Sequence, residues 1–363
     1  MRFAVLAVLA ACARNPGTSS TQEAPVPHAA AAAAAAPANA AAAPANAAAA
    51  PANAAAAPEA PAAPPAAPGA GAPGCVDDGP PYDASALRER VAYLASGELD
   101  GRASGSPGDM SARASLAARF RCLGLVPGGT GDSYDQPFTA DGHATANLVG
   151  YLPGDDAVVG GDIILVGAHH DHLGDGHLGA NDNASGVVAL LAIAQAIRQH
   201  GTPHRTIAFV LFGGEELGLL GSTYFAAHPP AALPLERIVY DVNLDMVGSY
   251  TSAGAVYAMG TFRGLPATRI IKTLKAEQPA LHVGVGGRGV GSDHEAFCRA
   301  GVPYVFFWTP DKRCYHARCD TVDKLDAAHL GKIAAFAGAL VEHLSDSPGD
   351  LAGSRARLGC AAR

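Results

Sequence analysis

Beyond about residue 160 the chain alternates short, wholly apolar runs with longer amphipathic ones. Residues 162–167 read Asp-Ile-Ile-Leu-Val-Gly, without the polar alternation of a half-exposed strand, and predict a strand buried on both faces of a sheet. Residues 206–212, 238–246 and 303–308 repeat that signature. Between the first two runs, apolar side chains fall at 187, 190, 191, 194 and 197, which is helical spacing, with Asp182 and Asn183 ahead of them as capping material. Residues 322–344 read as a mostly helical closing segment. The order predicts an α/β fold whose mixed, mostly parallel central sheet is flanked by helices.

The first eighty residues follow another rule. A single Arg2, the apolar run 3–11 and then Cys12 behind Leu9-Ala10-Ala11 resemble a secretory signal (1–11) ending in a bacterial lipobox, with Cys12 as the lipidated residue. Residues 12–79 form an Ala/Pro-rich linker, with prolines recurring at 37, 44, 51 and 58. A proline in every seven-residue period forbids the coiled coil that such a period would otherwise suggest. The linker buries nothing and reads as a disordered spacer. A folded domain at 80–347 and a tail at 348–363 complete the expected organisation.

A net charge of −8 argues against a nucleic-acid partner, and no basic stripe interleaved with aromatics opposes that reading. No later run reaches the ~20 uncharged apolar residues of a membrane-spanning helix. With Cys12 set aside, the remaining cysteines are 75, 122, 298, 314, 319 and 360. Their even number in an exported chain suggests disulfides. Cys314 with Cys319 would close a tight loop, and Cys75 with Cys360 would staple the two ends of the domain. Cys122 and Cys298 read equally well as buried free thiols.

Chemistry concentrates in five short stretches: Ala168-His169-His170-Asp171-His172, Gly179-Ala180-Asn181-Asp182-Asn183, Gly213-Gly214-Glu215-Glu216-Leu217, Asn243-Leu244-Asp245-Met246 and Tyr315-His316. Three of them follow predicted strands, and the carboxyl ends of strands are where open α/β sheets bind ligands. Imidazole nitrogens and carboxylate oxygens suit zinc. Two ions ~3.5 to 4 Å apart need a two-oxygen ligand between them, which an Asp supplies and a His does not. His169 and Asp245 would serve one ion, Glu216 and His316 the other, with Asp182 shared. Glu215 would then remain free as a base. Asp171 is placed to fix the tautomer of His169, and Asp320 that of His316. Asp293 either lines the substrate pocket or caps a helix starting near His294. Trp308 and Tyr315 either line the pocket or belong to the core.

Residues 88–345 resemble the aminopeptidase Y and bacterial leucyl aminopeptidase family of co-catalytic zinc peptidases. Beyond the stretches above, the resemblance runs through 94–102 (Leu-Ala-Ser-Gly-Glu-Leu-Asp-Gly-Arg), 105–108, 124–127, 147–150, Ser292-Asp293-His294 and Asp320-Thr321. It implies two zinc ions held by His169, Asp182, Glu216, Asp245 and His316. Among the adjacent His169, His170 and His172, it is the family spacing that selects His169. It further implies removal of the N-terminal residue from peptides with a free N-terminus, by a metal-bridging hydroxide with Glu215 as general base and Asp171 in support. Asn181 stands where many relatives have an Asp. No insertion between Gly150 and Asp162 offers room for a protease-associated domain. Glutaminyl cyclase, a single-zinc acyltransferase, and metallo-carboxypeptidase are the alternatives on this scaffold. Tyr315, where the cyclases have Trp, favours the peptidase. The location expected is the bacterial cell envelope, lipid-anchored, periplasmic or extracellular.

Overall fold

The computed structural model describes residues 75, 79–289 and 291–357; the predicted signal, Cys12 and nearly all of the linker lie outside them. Nine strands form one sheet: β1 (Val126–Pro127), β2 (Asp135–Ala140), β3 (His143–Leu152), β4 (Ile163–His169), β5 (Thr206–Phe212), β6 (Ile238–Leu244), β7 (Val256–Met259), β8 (Val283–Val285) and β9 (Tyr304–Trp308). Their spatial order is β1-β3-β5-β4-β6-β9-β7-β8, with β2 paired to β3. The four central strands β5, β4, β6 and β9 run parallel, as their mostly apolar sequences predict. The pairings of β3 with β1, β2 and β5, and of β7 with β9, are antiparallel, so the sheet is mixed and parallel at its centre.

Eight helices flank it: α1 (Ala84–Leu94), α2 (Pro107–Cys122), α3 (Gly186–His200), α4 (Leu220–Ala227), α5 (Tyr250–Ala253), α6 (Pro266–Glu277), α7 (His294–Arg299) and α8 (Ala327–Ser345). Helix α3 is apolar nearly all round and buried from Gly186 to Ile197, as a helix packed between a sheet and other helices must be. Ile164, Val166 and Ala168 of β4 face one core with residues of α1, α3 and α8. Ile163 and Leu165 face a second core with Phe225 of α4 and Phe297 of α7. Local chemistry fixes the helix starts. Pro107 opens α2 behind Ser106, whose hydroxyl accepts from Asp109 N at 3.1 Å, and Asp83 and Asp326 cap α1 and α8 in the same manner.

The cysteines correct two expectations. Cys75 is bonded to Cys122, not Cys360, so the staple joins the start of the folded region to the end of α2. Cys298 is also disulfide-bonded, which leaves no free thiol among the described cysteines. The expected pair Cys314–Cys319 is present. Disulfides persist in oxidising compartments, in keeping with export. Among the described residues no helix is long and apolar enough to cross a membrane.

Candidate metal centre

His169 of β4 pairs with Phe212 of β5, and Gly167 with Asn243 of β6, so the three central strands run out at one level. His169, the Glu215-Glu216 pair and Asp245 therefore meet at one rim of the sheet. Asp182 reaches it from the turn before α3. His316 reaches it from the loop closed by Cys314 and Cys319, with its backbone at φ 52°.

His169 Nε2 stands 3.3 Å from Asp245 Oδ1 and 3.4 Å from Asp182 Oδ1. His316 Nε2 stands 3.3 Å from Asp182 Oδ2 and 2.9 Å from Glu216 Oε2. Asp182 thus turns one oxygen to each imidazole. The donor atoms of His169, Asp182 and Glu216 lie within 4.8 Å of one another, as do those of His169, Glu215 and Asp245.

So many acids in so little water strain one another electrostatically. Burial, reinforced by Asp245, Asp293 and Glu216 against the pull of His169, pushes Glu215 up to about 10. Burial also raises Asp245, which His169 pulls back down. Contacts with Asp182 and Glu216 raise His316 to about 10, and Glu215 with Asp245 overcome burial to raise His169. The residues fit a divalent cation on two counts. The donor set is the imidazole and carboxylate mixture that zinc takes, and Asp182 Oδ2, although buried, makes no hydrogen bond of normal geometry.

The loops carrying these groups are pinned from behind. Arg102, fully buried, donates from Nε to His170 O at 2.8 Å, from Nη1 to Leu178 O at 3.0 Å and to Leu94 O, and from Nη2 to Gly179 O at 3.1 Å. One guanidinium thereby ties α1 to both metal-site loops. Burial lowers its pKa to about 10, which still leaves it charged at neutral pH. Asn183 accepts from Gly186 N at 2.9 Å and Met246 N at 3.1 Å and donates to Leu244 O, joining the Asp182 turn to the Asp245 strand.

One supporting residue, Asp171, adds a second task to the one expected, and another, Asp320, has different partners. His169 Nδ1 faces the backbone carbonyl of Asp171 at 3.1 Å, while the Asp171 carboxylate stands 3.7 Å away. That carboxylate also accepts from Ser104 Oγ at 2.9 Å and Glu215 N at 3.1 Å, so it orients the Glu215 turn as well. Asp320 does not serve His316. Its two oxygens accept from Asn181 N at 2.8 Å and Asp182 N at 2.9 Å, fixing the Asp182 backbone across 138 residues of chain.

Of the three adjacent histidines, His169 and His172 face the cluster and His170 does not. His170 turns away, with Nε2 3.1 Å from Ala146 O and Nδ1 3.6 Å from Asp109. His172 turns inward, its Nδ1 2.6 Å from Glu216 Oε1. Asp293 makes no side-chain cap on α7 and does not line the pocket; it is fully buried, and burial raises it to about 7. Trp308 and Tyr315 both line the cavity beside the cluster. Arg102 and His172 are the two residues that sequence reasoning left without a role.

Residues 147–341 match the sequence profile of peptidase family M28. The leupeptin-inactivating enzyme 1 of Streptomyces exfoliatus is 30% identical over 221 residues, 54% of this chain and 48% of that protein. Aminopeptidase YwaD of Bacillus subtilis (strain 168) is 31% identical over 179 residues, 47% of this chain and 38% of that protein. The chain spans less than half the length of either relative. Among solved structures, BSAP, a zinc aminopeptidase from Bacillus subtilis, has TM-score 0.63 and 18% identity, covering 75% of this chain and 98% of that one. At that identity the likeness is one of fold. With more than half of its residues inside the profile match, the chain belongs to peptidase family M28.

Proposed function

We propose that the chain is a zinc-dependent aminopeptidase acting on peptides with a free N-terminus. The observation that carries this reading is the position of Asp182, whose two oxygens lie 3.4 Å from His169 and 3.3 Å from His316. A shared carboxylate between two imidazoles suits a pair of ions, with His169 and Asp245 on one side and Glu216 and His316 on the other. Bound there, zinc would polarise the scissile carbonyl and lower the pKa of a water.

The chain's own groups supply the remainder. Divalent cations at the neighbouring carboxylates would offset the like charges that hold a proton on Glu215, and Glu215, in the cluster with His169 and Asp245, then takes a proton from the attacking water and returns it to the leaving amine, a role worth ~10²- to 10⁴-fold. Asp171 holds the Glu215 backbone N–H, so the base keeps its aim. The substrate's α-ammonium finds carboxylates at Asp182, Glu215 and Asp245, among the residues lining a cavity of about 760 Å³. Met246, Met259, Phe306, Trp308 and Tyr315 also line it, which suits a bulky apolar N-terminal side chain.

The test is a panel of free, N-acetylated and Gln-initiated peptides followed by mass spectrometry, run beside Glu215→Gln. Release of one residue from free but not acetylated peptides, and loss of turnover with retained zinc in the variant, are the expected results. Loss of ammonia from Gln-initiated peptides alone would make the enzyme a cyclase instead. We further propose attachment to the membrane through lipid on Cys12; lipid labelling abolished by Cys12→Ser is the expected outcome.

A further inference from the structure

His172 sits among the acidic groups, yet the ligand assignment leaves it without a task. Its ring is buried, with Nδ1 2.6 Å from Glu216 Oε1 and 3.8 Å from Asp182 Oδ2. Distance decides between two roles. Two ligands of one tetrahedral zinc, each ~2.0 to 2.1 Å from the ion, lie roughly 3.3 Å apart. His169 with Asp245, His169 with Asp182, and His316 with Asp182, at 3.3, 3.4 and 3.3 Å, keep that spacing. His316 with Glu216, at 2.9 Å, is tighter. His172 with Glu216 is tighter still, at the length of a charge-assisted hydrogen bond and too close for two ligands of one ion.

We propose that His172 is a positioning residue, which donates Nδ1–H to Glu216 Oε1 and so leaves Oε2 alone facing His316 and Asp182. The ring's other nitrogen, Nε2, is buried without a hydrogen-bond partner, so Nδ1 is the nitrogen with a reason to carry the proton. The ring is itself fixed by Gly179, where a Cβ would fall 2.6 Å from His172 Cγ; the glycine at φ 62° leaves the space that the imidazole fills. Glu216 is thereby held to one oxygen and one rotamer before any ion arrives, which lowers the ordering cost of binding. The inference rests on the reading of Glu216 as a metal ligand.

The test measures metal affinity in the full chain rather than turnover. Zinc is titrated in competition with a chromogenic chelator, cobalt replaces it for visible spectra, and apo-protein melting temperatures report on folding. His172→Ala is expected to retain one tightly held ion and to bind the other ~10- to 100-fold more weakly, the usual effect of removing a ligand's hydrogen-bond partner. His172→Asn, whose amide N–H falls close to where Nδ1 was, is expected to recover most of that loss and the wild-type cobalt spectrum. Equal deficits in both variants, in step with their melting temperatures, would mean that His172 only fills space and would overturn the proposal. Wild-type affinity in His172→Ala would do the same. Glu216→Gln separates the two readings: if it loses an ion while His172→Ala does not, only the positioning role fails. If it binds both ions normally, the ligand reading fails as well.

Discussion

His294 gives the fold an acid sensitivity that can be isolated by one substitution. The ring lies at the start of α7, 1% exposed, stacked on Phe306 at 4.5 Å and tilted against Tyr304 at 4.7 Å, with neither nitrogen in a hydrogen bond of normal geometry. Burial lowers its pKa from 6.5 to about 4, against the smaller opposing pulls of the Gly289 backbone and then Glu295. The unfolded chain therefore takes up this proton first as pH falls. Its contribution to stability is complete above pH 6.5 and is lost progressively down to about 4, where the loss amounts to roughly 3 kcal/mol. Between pH 8 and pH 5 the loss through His294 alone is about 2 kcal/mol. His294→Phe keeps the aromatic stacking and removes the titration. Urea unfolding of the oxidised wild type and variant at both pH values isolates the effect, because groups common to both proteins cancel in the difference. The variant should lose ~2 kcal/mol less than the wild type on acidification. Parallel losses in the two proteins would refute the reasoning and show that His294 charges in place.

Three further outcomes follow from contacts described above. Arg102→Ala, which orphans four backbone carbonyls around the metal-site loops, is expected to cost about 3 to 5 kcal/mol in chemical unfolding, and Arg102→Lys to recover little, since an ammonium cannot span Leu94, Leu178, Gly179 and His170 at once. Gly179→Ala puts a Cβ 2.2 Å from Asp182 O and should abolish tight zinc binding, as read by chelator competition, while far-UV circular dichroism stays native. Removing Cys75–Cys122, whose ends are separated by 47 in sequence, should cost about 4 kcal/mol and leave peptidase activity intact in the cold; removing Cys314–Cys319, separated by 5, should cost only about 2 kcal/mol but weaken metal retention at His316.

Apolar runs carried most of the fold's centre in readable form. The strand at 206–212 is legible to the residue because every side chain in it is buried, and burial on both faces leaves the run apolar from Ile207 to Phe212. The antiparallel strands β1, β2, β7 and β8 are not legible that way. They are short or carry exposed positions, and what defines them is pairing with partners elsewhere in the chain. The five residues expected to hold metal were legible as candidates from motif order and family resemblance, four of the motifs following a strand or preceding a helix. Their supports could not. Arg102 acts on Gly179 across 77 residues, Asp320 on Asp182 across 138, and His172 on Glu216 across 44. Nothing local marks such a residue, because its hydrogen bonds exist only after the sheet has gathered the loops.

The Cys75–Cys122 bond also fixes the route of mechanical tension through the domain. Residues 75 to 122 form a covalently closed ring, so a pull applied ahead of Cys75 passes through sulfur directly to the end of α2 and on towards the β1–β3 edge of the sheet. Helix α1 and the Arg102 loop, which brace the metal site, lie inside that ring and are spared the tug. A protease that nicked the chain anywhere between the two cysteines would likewise leave both fragments tethered.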